Sequence, residues 1–329
     1  MSIFDRLQLV FQSPFAIVLY ALFVCLLILI GTYLFLHFRQ RNRDQFVYRF
    51  RKYFERVGEA TRDYPVIGNP IADFWGRQTV VKNSDDEPLN CLALPPDLQS
   101  DSFLRRYETF SRAVEYPPIP NLALTIKELY NPGLILFFNG MFKEDGLPKV
   151  SLQNCFSDKR LTYDDHKNIL KAISHALVAL HERCSEEGEP LFHGFLMPRN
   201  IFLDLDTNHH VCDITISEAG LAYSVGTNQL RKRVSELQQG VLTIDRYHSF
   251  QLIDQIPYLA PELRSQKGEI GPAADFYTFG AIAAALCMQK RFIHEGHVDW
   301  EQIPQGWRSF VKSCLEEDPG KRPRVFSVS

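Results

Sequence analysis

Two short stretches in the second half of the chain constrain its fold most. The first is His-Gly-Phe-Leu-Met-Pro-Arg-Asn-Ile-Phe-Leu at residues 193–203, and the second is Ile-Ser-Glu-Ala-Gly-Leu-Ala at residues 216–222. Three segments follow in order: Leu-Ala-Pro-Glu at 259–262, Asp-Phe-Tyr-Thr-Phe-Gly at 275–280 and Asp-Pro-Gly-Lys-Arg-Pro at 318–323. Any one of these segments is weak evidence alone, but the ordered series is specific.

The series resembles the motifs of the protein kinase superfamily. In that family the catalytic loop reads His-Arg-Asp-Leu-x-x-x-Asn and the metal-binding motif reads Asp-Phe-Gly. The resemblance covers roughly residues 60–329 and implies an α+β fold of two lobes. We predict a small β-rich lobe at residues 61–138 and a large helical lobe at residues 139–329.

The residues that build the scaffold of such a fold are present. The resemblance implies that Glu262 pairs with Arg322 and that Asp275 holds the backbone of the catalytic loop. It also places His193 beneath that loop and makes Gly220 the glycine of the metal-binding motif. We therefore interpret these five residues as structural.

The residues that carry out phosphate transfer are replaced. By the resemblance, Phe195 stands where an aspartate accepts the substrate proton, and Met197 and Leu92 stand where lysines neutralise phosphate charge. Glu218 replaces the metal-binding aspartate, and Asn200 is retained. No catalytic residue is thus predicted, although Glu218 and Asn200 supply oxygens that could still hold one magnesium ion.

The phosphate-binding loop is also degenerate. The best frame for its glycines is Gly68–Trp75, where Pro70 lacks an N–H and Asp73 would repel phosphate. The partner of the missing small-lobe lysine falls near Phe110, so an ion pair is replaced by two apolar residues. Lys82 could substitute for the lysine, but an exposed lysine at a strand end is the simpler interpretation.

The N-terminal part predicts a membrane anchor. Residues 14–38 are almost wholly apolar, long enough for a transmembrane helix, and are followed by a basic segment at 39–60. The excess of basic residues after the helix places residues 1–13 outside and the C-terminal domain in the cytoplasm. The basic segment itself fits either an amphipathic helix on the membrane surface or a solvated stalk.

Three further local predictions concern the second part of the chain. Apolar spacing predicts a helix over Asp101–Val114, capped by Ser100 or Asp101. A second helix over Leu161–Cys184 begins with a capping box of Thr162 and Asp165. The basic triplet at residues 231–233 lies in a long connection and is predicted to be exposed and mobile.

Charge and cysteine usage exclude other classes of function. The net charge is -3, so nothing draws the whole chain to nucleic acid. The seven cysteines contain no Cys-x-x-Cys pair, which gives neither a zinc site nor a disulfide framework. Reduced thiols are therefore expected.

These observations favour a single-pass pseudokinase that serves as a cytoplasmic protein-binding scaffold, with no cofactor. One alternative is an atypical or weakly active Ser/Thr kinase that binds ATP and magnesium through Asn200 and Glu218. Another is a membrane-tethered structural subunit that does not switch. Binding of nucleotide separates the weakly active kinase from the other two, and neither the partner nor the oligomeric state follows from the sequence.

Overall fold

The computed structural model divides the chain into two units, Met1–Arg56 and Val57–Ser329. In the first unit, residues 22 and 24–33 are helical, and most of their side chains are exposed. The structure describes residues 22, 24–33, 62–123, 125–129, 134–156, 161–242, 251–265 and 268–326.

The fold prediction that included a transmembrane helix is wrong. Among the described residues, no helix is both long and apolar enough to cross a membrane. The described helical run at 24–33 would cover ~15 Å at ~1.5 Å per residue, about half of a ~30 Å hydrocarbon core. Most of the predicted span 14–38, together with segments 1–13 and 39–60, lies outside the described residues. The cytoplasmic location of the C-terminal domain stays a prediction.

The second unit begins with an antiparallel sheet. Its strand order is β1-β2-β3-β5-β4, so β3 is the central strand. The turn between β2 and β3 is stabilised by Asn83, whose side-chain oxygen accepts hydrogen bonds from the backbone N–H groups of Asp85 (2.9 Å) and Glu87 (2.8 Å). The strands are β1 (Ile71–Ala72), β2 (Arg77–Lys82), β3 (Pro88–Ala93), β4 (Thr125–Leu129) and β5 (Ile135–Phe138).

Helix α1 (Asp101–Glu115) lies between β3 and β4 in the chain and confirms the helix predicted there. Ser100 caps it by accepting a hydrogen bond from the N–H of Phe103 at 3.1 Å. The apolar spacing places Phe103, Tyr107, Phe110 and Val114 on one buried face. This face packs the helix into the core.

The C-terminal end of α1 is tied to the large helical part by Arg183. Its guanidinium donates to the carbonyl oxygens of Ala113 (2.8 Å), Tyr116 (3.1 Å) and Pro117 (2.9 Å). These carbonyls would otherwise lack partners at a helix end, and the positive charge also suits the negative end of the helix dipole.

The large part is mainly helical and surrounds α7, almost all of whose side chains are buried. Helix α3 confirms the second predicted helix: Thr162 accepts from the N–H of Asp165, and Asp165 accepts from the N–H of Thr162. The helices are α2 (Leu152–Cys155), α3 (Tyr163–His181), α4 (Leu221–Val225), α5 (Thr227–Gln238), α6 (Pro261–Arg264), α7 (Pro272–Met288) and α8 (Gln305–Cys314).

A second antiparallel sheet has the order β6-β7-β8, with β6 (Val150–Ser151), β7 (Ile201–Leu205) and β8 (Val211–Ile216). Strand β7 begins directly after Asn200, and β8 ends two residues before Glu218. The hairpin therefore brings the two motif stretches to the same end of the sheet. The α+β architecture is compatible with a kinase-like fold.

The prediction that the basic triplet is exposed is wrong for Arg233. Residues 231–233 lie inside α5, where Leu230, Val234 and Leu237 form a buried face and Arg233 falls on it with 4 % exposure. Helical spacing causes this, since residues three and four apart share a face. Lys232 is exposed, as predicted, with 65 % of its side chain accessible.

Candidate functional site

The loop before β7 is held in place by Asp275 of α7. Its carboxylate accepts hydrogen bonds from the backbone N–H of His193 (2.8 Å) and of Gly194 (2.7 Å). The His193 ring is fully buried and lies 2.9 Å from the carbonyl oxygen of Ser217, which joins this loop to the segment after β8. Asp275 and His193 thus fix the backbone that carries residues 195–200.

Glu218 is the centre of a hydrogen-bond network at this site. One oxygen accepts from Trp75 Nε1 (2.9 Å) and Asn200 Nδ2 (2.8 Å), and the other accepts from Gln78 Nε2 (3.0 Å) and Arg199 (2.6 Å). Glu218 is buried and has a left-handed backbone, with φ of 65°. Four donors around one buried carboxylate leave little capacity for a further ligand.

Arg199 joins this network to the small sheet. It makes a bidentate ion pair with Asp73, with N–O distances of 2.5 and 2.6 Å, while it also bonds Glu218. Burial raises the pKa of Glu218 above its ordinary value, and Arg199 offsets part of that effect. Burial opposes the charge of Arg199, but Asp73 and Glu218 outweigh it and raise the pKa of the guanidinium. One buried cation therefore faces two buried carboxylates.

Three aromatic rings fill the space beside this ion pair. The ring of Phe195 stacks on Phe74 with centroids 4.3 Å apart and meets Trp75 edge-on at 5.1 Å. All three side chains have no exposed surface. Asp73, Phe74 and Trp75 are called the plug below, because they lie where the loop from β1 to β2 meets the catalytic-type loop, residues 193–200. The region between these two loops is called the cleft.

The other positions expected to touch phosphate are part of the hydrophobic core. Met197 is 1 % exposed, and Leu92 is fully buried opposite Leu136 of β5. Phe110 lies so close to Gly220 that a side chain at Gly220 would overlap its ring. The missing ion pair of the small lobe is thus replaced by apolar packing, which leaves no unpaired charge.

Lys82 lies at the end of β2, where its amine pairs with Asp86 at 2.7 Å. One third of the lysine side chain is exposed. This is the arrangement of an ordinary turn lysine.

The described residues do not fit a metal-bound nucleotide. Glu218 and Asn200 do meet, but the Arg199 guanidinium lies 2.6 Å from the same carboxylate and would repel a divalent cation. Magnesium also needs near-octahedral oxygen ligands and retained waters. Oδ1 of Asn200 accepts no hydrogen bond from any group that the structure describes, and within those residues no three His, Cys, Asp or Glu side chains are grouped to hold a metal.

Glu262 and Arg322 lie away from the cleft in a buried pair. Arg322 donates to both carboxylate oxygens, at 2.6 and 2.8 Å, and also to the carbonyl oxygens of Ala273, Glu316 and Glu317. The pair joins α6 to the segment after α8.

The sequence interpretation missed Arg199, Trp75, Gln78 and Arg233 as site residues. It considered Asp73 only for its repulsion of phosphate. A signal was present, since a basic residue in the catalytic-type loop and an acidic residue in the opposite loop are complementary in charge. The adjacent aromatics Phe74 and Trp75, matched by Phe195, were a second signal.

Comparisons with known proteins agree with this architecture. No family model matches the chain. It is similar to a leucine-rich repeat receptor-like protein kinase, PEPR2, of Arabidopsis thaliana, at 26 % identity over 56 % of this chain and 16 % of the relative. It is similar to the eIF-2-alpha kinase GCN2 of Schizosaccharomyces pombe, at 29 % identity over 43 % of this chain and 8 % of the relative.

A U-box domain-containing protein, number 70, of Oryza sativa subsp. japonica is 27 % identical over 52 % of this chain and 18 % of its own length. The chain thus spans less than a third of the length of these relatives. Protein kinases are prominent among the relatives, and the similarity supports a protein-kinase-like domain in this chain.

Proposed function

We propose that the protein-kinase-like domain is a pseudokinase that binds a protein partner and does not transfer phosphate. The observation that carries this proposal is the plug. Phe74 and Trp75 pack on Phe195, while Asp73 holds Arg199, so the chain's own side chains fill the region in which the resemblance to kinases would place a nucleotide's phosphates.

The chemistry of the cleft supports the same conclusion. Phosphoryl transfer requires a positioned nucleotide, metal or lysine charges on its phosphates and an acceptor for the substrate proton. Phe195 cannot accept a proton, and Met197 and Leu92 carry no charge. Arg199 is a cation, but its two carboxylate partners already neutralise it.

The scaffold, in contrast, is well built. The Glu262–Arg322 pair and the hydrogen bonds of Asp275 maintain the large part of the domain. A folded surface without a working nucleotide site is suited to recognition of another protein, and this is the role that we propose. We propose a protein and not a nucleic acid as the partner, since the net charge of -3 gives no general attraction to nucleic acid.

A weakly active kinase is the second candidate. It is favoured by the contact of Asn200 Nδ2 with Glu218 at 2.8 Å and by the unused Oδ1 of Asn200, which together place two oxygen-bearing groups side by side. This candidate requires that the plug leaves and that Arg199 turns away from Glu218.

The deciding experiment is a thermal-shift titration of the purified full chain with ATP, with and without magnesium, together with a phosphate-transfer assay. A ligand present at 100 times its dissociation constant stabilises a fold by about 2.7 kcal/mol, so even weak binding gives a measurable shift. We expect no shift and no transfer.

Magnesium-dependent ATP turnover that Glu218→Ala or Asn200→Ala abolishes would refute the pseudokinase and establish the second candidate. Binding without turnover would instead indicate a switch stabilised by nucleotide. Glu187→Ala is the matched control, because it removes an exposed carboxylate away from the site.

A further inference from the structure

Arg233 is a buried arginine whose contacts leave its own helix. It lies on the inner face of α5, with 5 % of its side chain exposed. Its guanidinium donates to the carbonyl oxygen of Phe74 in the plug and to Asp97 at 3.1 Å, and it lies 5.4 Å from the centre of the Phe74 ring. Helix α5 therefore holds the plug directly.

Burial of a charge at position 233 is unfavourable. Burial lowers the pKa of the Arg233 guanidinium, and Asp97 opposes that effect. Its Nε donates to no acceptor among the described residues. A well-packed apolar residue would serve the α5 core at least as well, because a buried charge with incomplete partners is not a source of stability. The contact with the plug is what this arginine adds.

The plug is held by two arginines from two different elements. Arg199 binds Asp73 from the loop before β7, and that loop is fixed by Asp275. Arg233 binds Phe74 from α5.

Of these two arginines, only Arg233 comes from a helix with a glycine at each end. Gly226 precedes α5 with φ of 79°, and Gly240 follows it with φ of 64°. Glycine adopts these backbone angles without strain, so α5 is a discrete helix with a defined start and end. Arg231 adds a hydrogen bond to the carbonyl oxygen of Glu262 at 2.8 Å, which connects α5 to α6.

We propose that α5 is a latch for the cleft: when α5 is packed, Arg233 keeps the plug seated, and displacement of α5 releases it. A protein that binds α5 would then change the state of the cleft. The effect of a bound protein on the cleft rests on the proposed function. The coupling of α5 to the plug is independent of it.

Trp75 reports the state of the plug. The chain has three tryptophans, so Trp300→Phe and Trp307→Phe leave Trp75 as the single emitter. Acrylamide quenching of its fluorescence measures its access to solvent. The variants are Arg233→Met, which removes the hydrogen-bond donors but keeps an unbranched side chain, and Lys232→Pro, which breaks α5 but keeps the arginine at position 233. Lys232→Met is the matched control on the exposed face.

We expect several-fold stronger quenching of Trp75 in Arg233→Met and in Lys232→Pro, with no change in Lys232→Met. Arg233→Lys, which keeps the charge and fewer donors, should be intermediate. A second series, with Trp75→Phe and Trp300→Phe, leaves Trp307 of α8 as reporter, and its quenching should stay unchanged.

The latch is refuted if Trp75 stays as protected in Arg233→Met as in the parent. It is also refuted if quenching of Trp307 increases in Arg233→Met by the same factor as quenching of Trp75. Arg233 would then support the whole fold and not the plug. Protection of Trp75 in Lys232→Pro would show that α5 is not the coupling element. These outcomes are independent of ATP binding, so they do not depend on the fate of the pseudokinase proposal.

Discussion

Arg322 and Glu262 form a bidentate ion pair with distances of 2.6 and 2.8 Å, in which neither side chain is more than 4 % exposed. The two residues are 60 positions apart in the chain. The pair therefore closes the large part of the domain between α6 and the segment after α8.

Glu262→Ala should destabilise the domain by about 3–5 kcal/mol, because it leaves the Arg322 charge buried without its partner. Urea unfolding followed by circular dichroism measures this loss. Glu317→Ala, at an exposed position close by, is the control and should change stability little. A Glu262→Ala variant that unfolds like the parent would show that the pair does not contribute to stability.

Arg199→Met should make stability strongly dependent on pH. Without the guanidinium, Asp73 and Glu218 are two buried carboxylates with no cation beside them, so their folded-state pKa values rise above the unfolded ones. An acid with a raised folded-state pKa binds its proton more tightly in the native state, so stability falls as pH rises above the ordinary glutamate value of 4.5. We expect the variant to be closest to the parent at pH 5 and weakest at pH 8, as measured by urea unfolding.

Arg199→Lys is the control for that experiment, since it keeps a positive charge at the site. Its pH dependence should resemble that of the parent more than that of Arg199→Met. Equal pH profiles for Arg199→Met and the parent would contradict the buried ion pair.

Restoring the kinase residues at two positions should not restore activity. The double variant Phe195→Asp and Met197→Lys restores the residue types of the base and the cation, but the plug still occupies the cleft. The new carboxylate at position 195 would lie against Phe74 and Trp75, the new amine would replace the buried Met197 side chain, and an unpaired buried charge is strongly unfavourable. We expect a lower melting temperature and no phosphate transfer. Measurable turnover by this variant would contradict the closed cleft.

Thiol reactivity should follow burial. Burial raises the pKa of Cys91 and of Cys314 to about 12 and that of Cys287 to about 11, so these thiols hold almost no thiolate at pH 8. Cys184 and Cys212 are exposed. Labelling with iodoacetamide at pH 8 and peptide mapping should find the label first on Cys184, Cys212 and Cys25, which is also exposed. Early labelling of Cys91 would show that the sheet opens readily.

Local signals made the helices predictable. Four apolar residues on one face and a serine cap define α1, and the Thr162–Asp165 capping box defines the start of α3. The apolar run near the N-terminus was a misleading signal, because apolar composition alone does not show that a membrane-spanning helix forms. The basic triplet was another, since its composition predicts exposure whereas helical spacing puts Arg233 inside.

The site depends on contacts that no local pattern contains. Asp73 and Arg199 are 126 residues apart, and Trp75 and Glu218 are 143 apart. The sequence itself shows that Phe195, Met197 and Leu92 are apolar, but it could not show that Phe74 and Trp75 pack against Phe195. That outcome depends on how the β1–β2 turn folds onto the loop before β7, which is a property of the tertiary structure.

The three hydrogen bonds from Arg183 to the end of α1 have a mechanical consequence. They make α1 move with the large helical part, although the helix belongs in sequence to the small sheet. An opening motion that separated α1 from that part would have to break all three bonds at once. In the β1–β2 turn, Asp73, Phe74 and Trp75 are held by Arg199, Arg233 and Glu218, so a motion of this turn need not break the three bonds that fix α1.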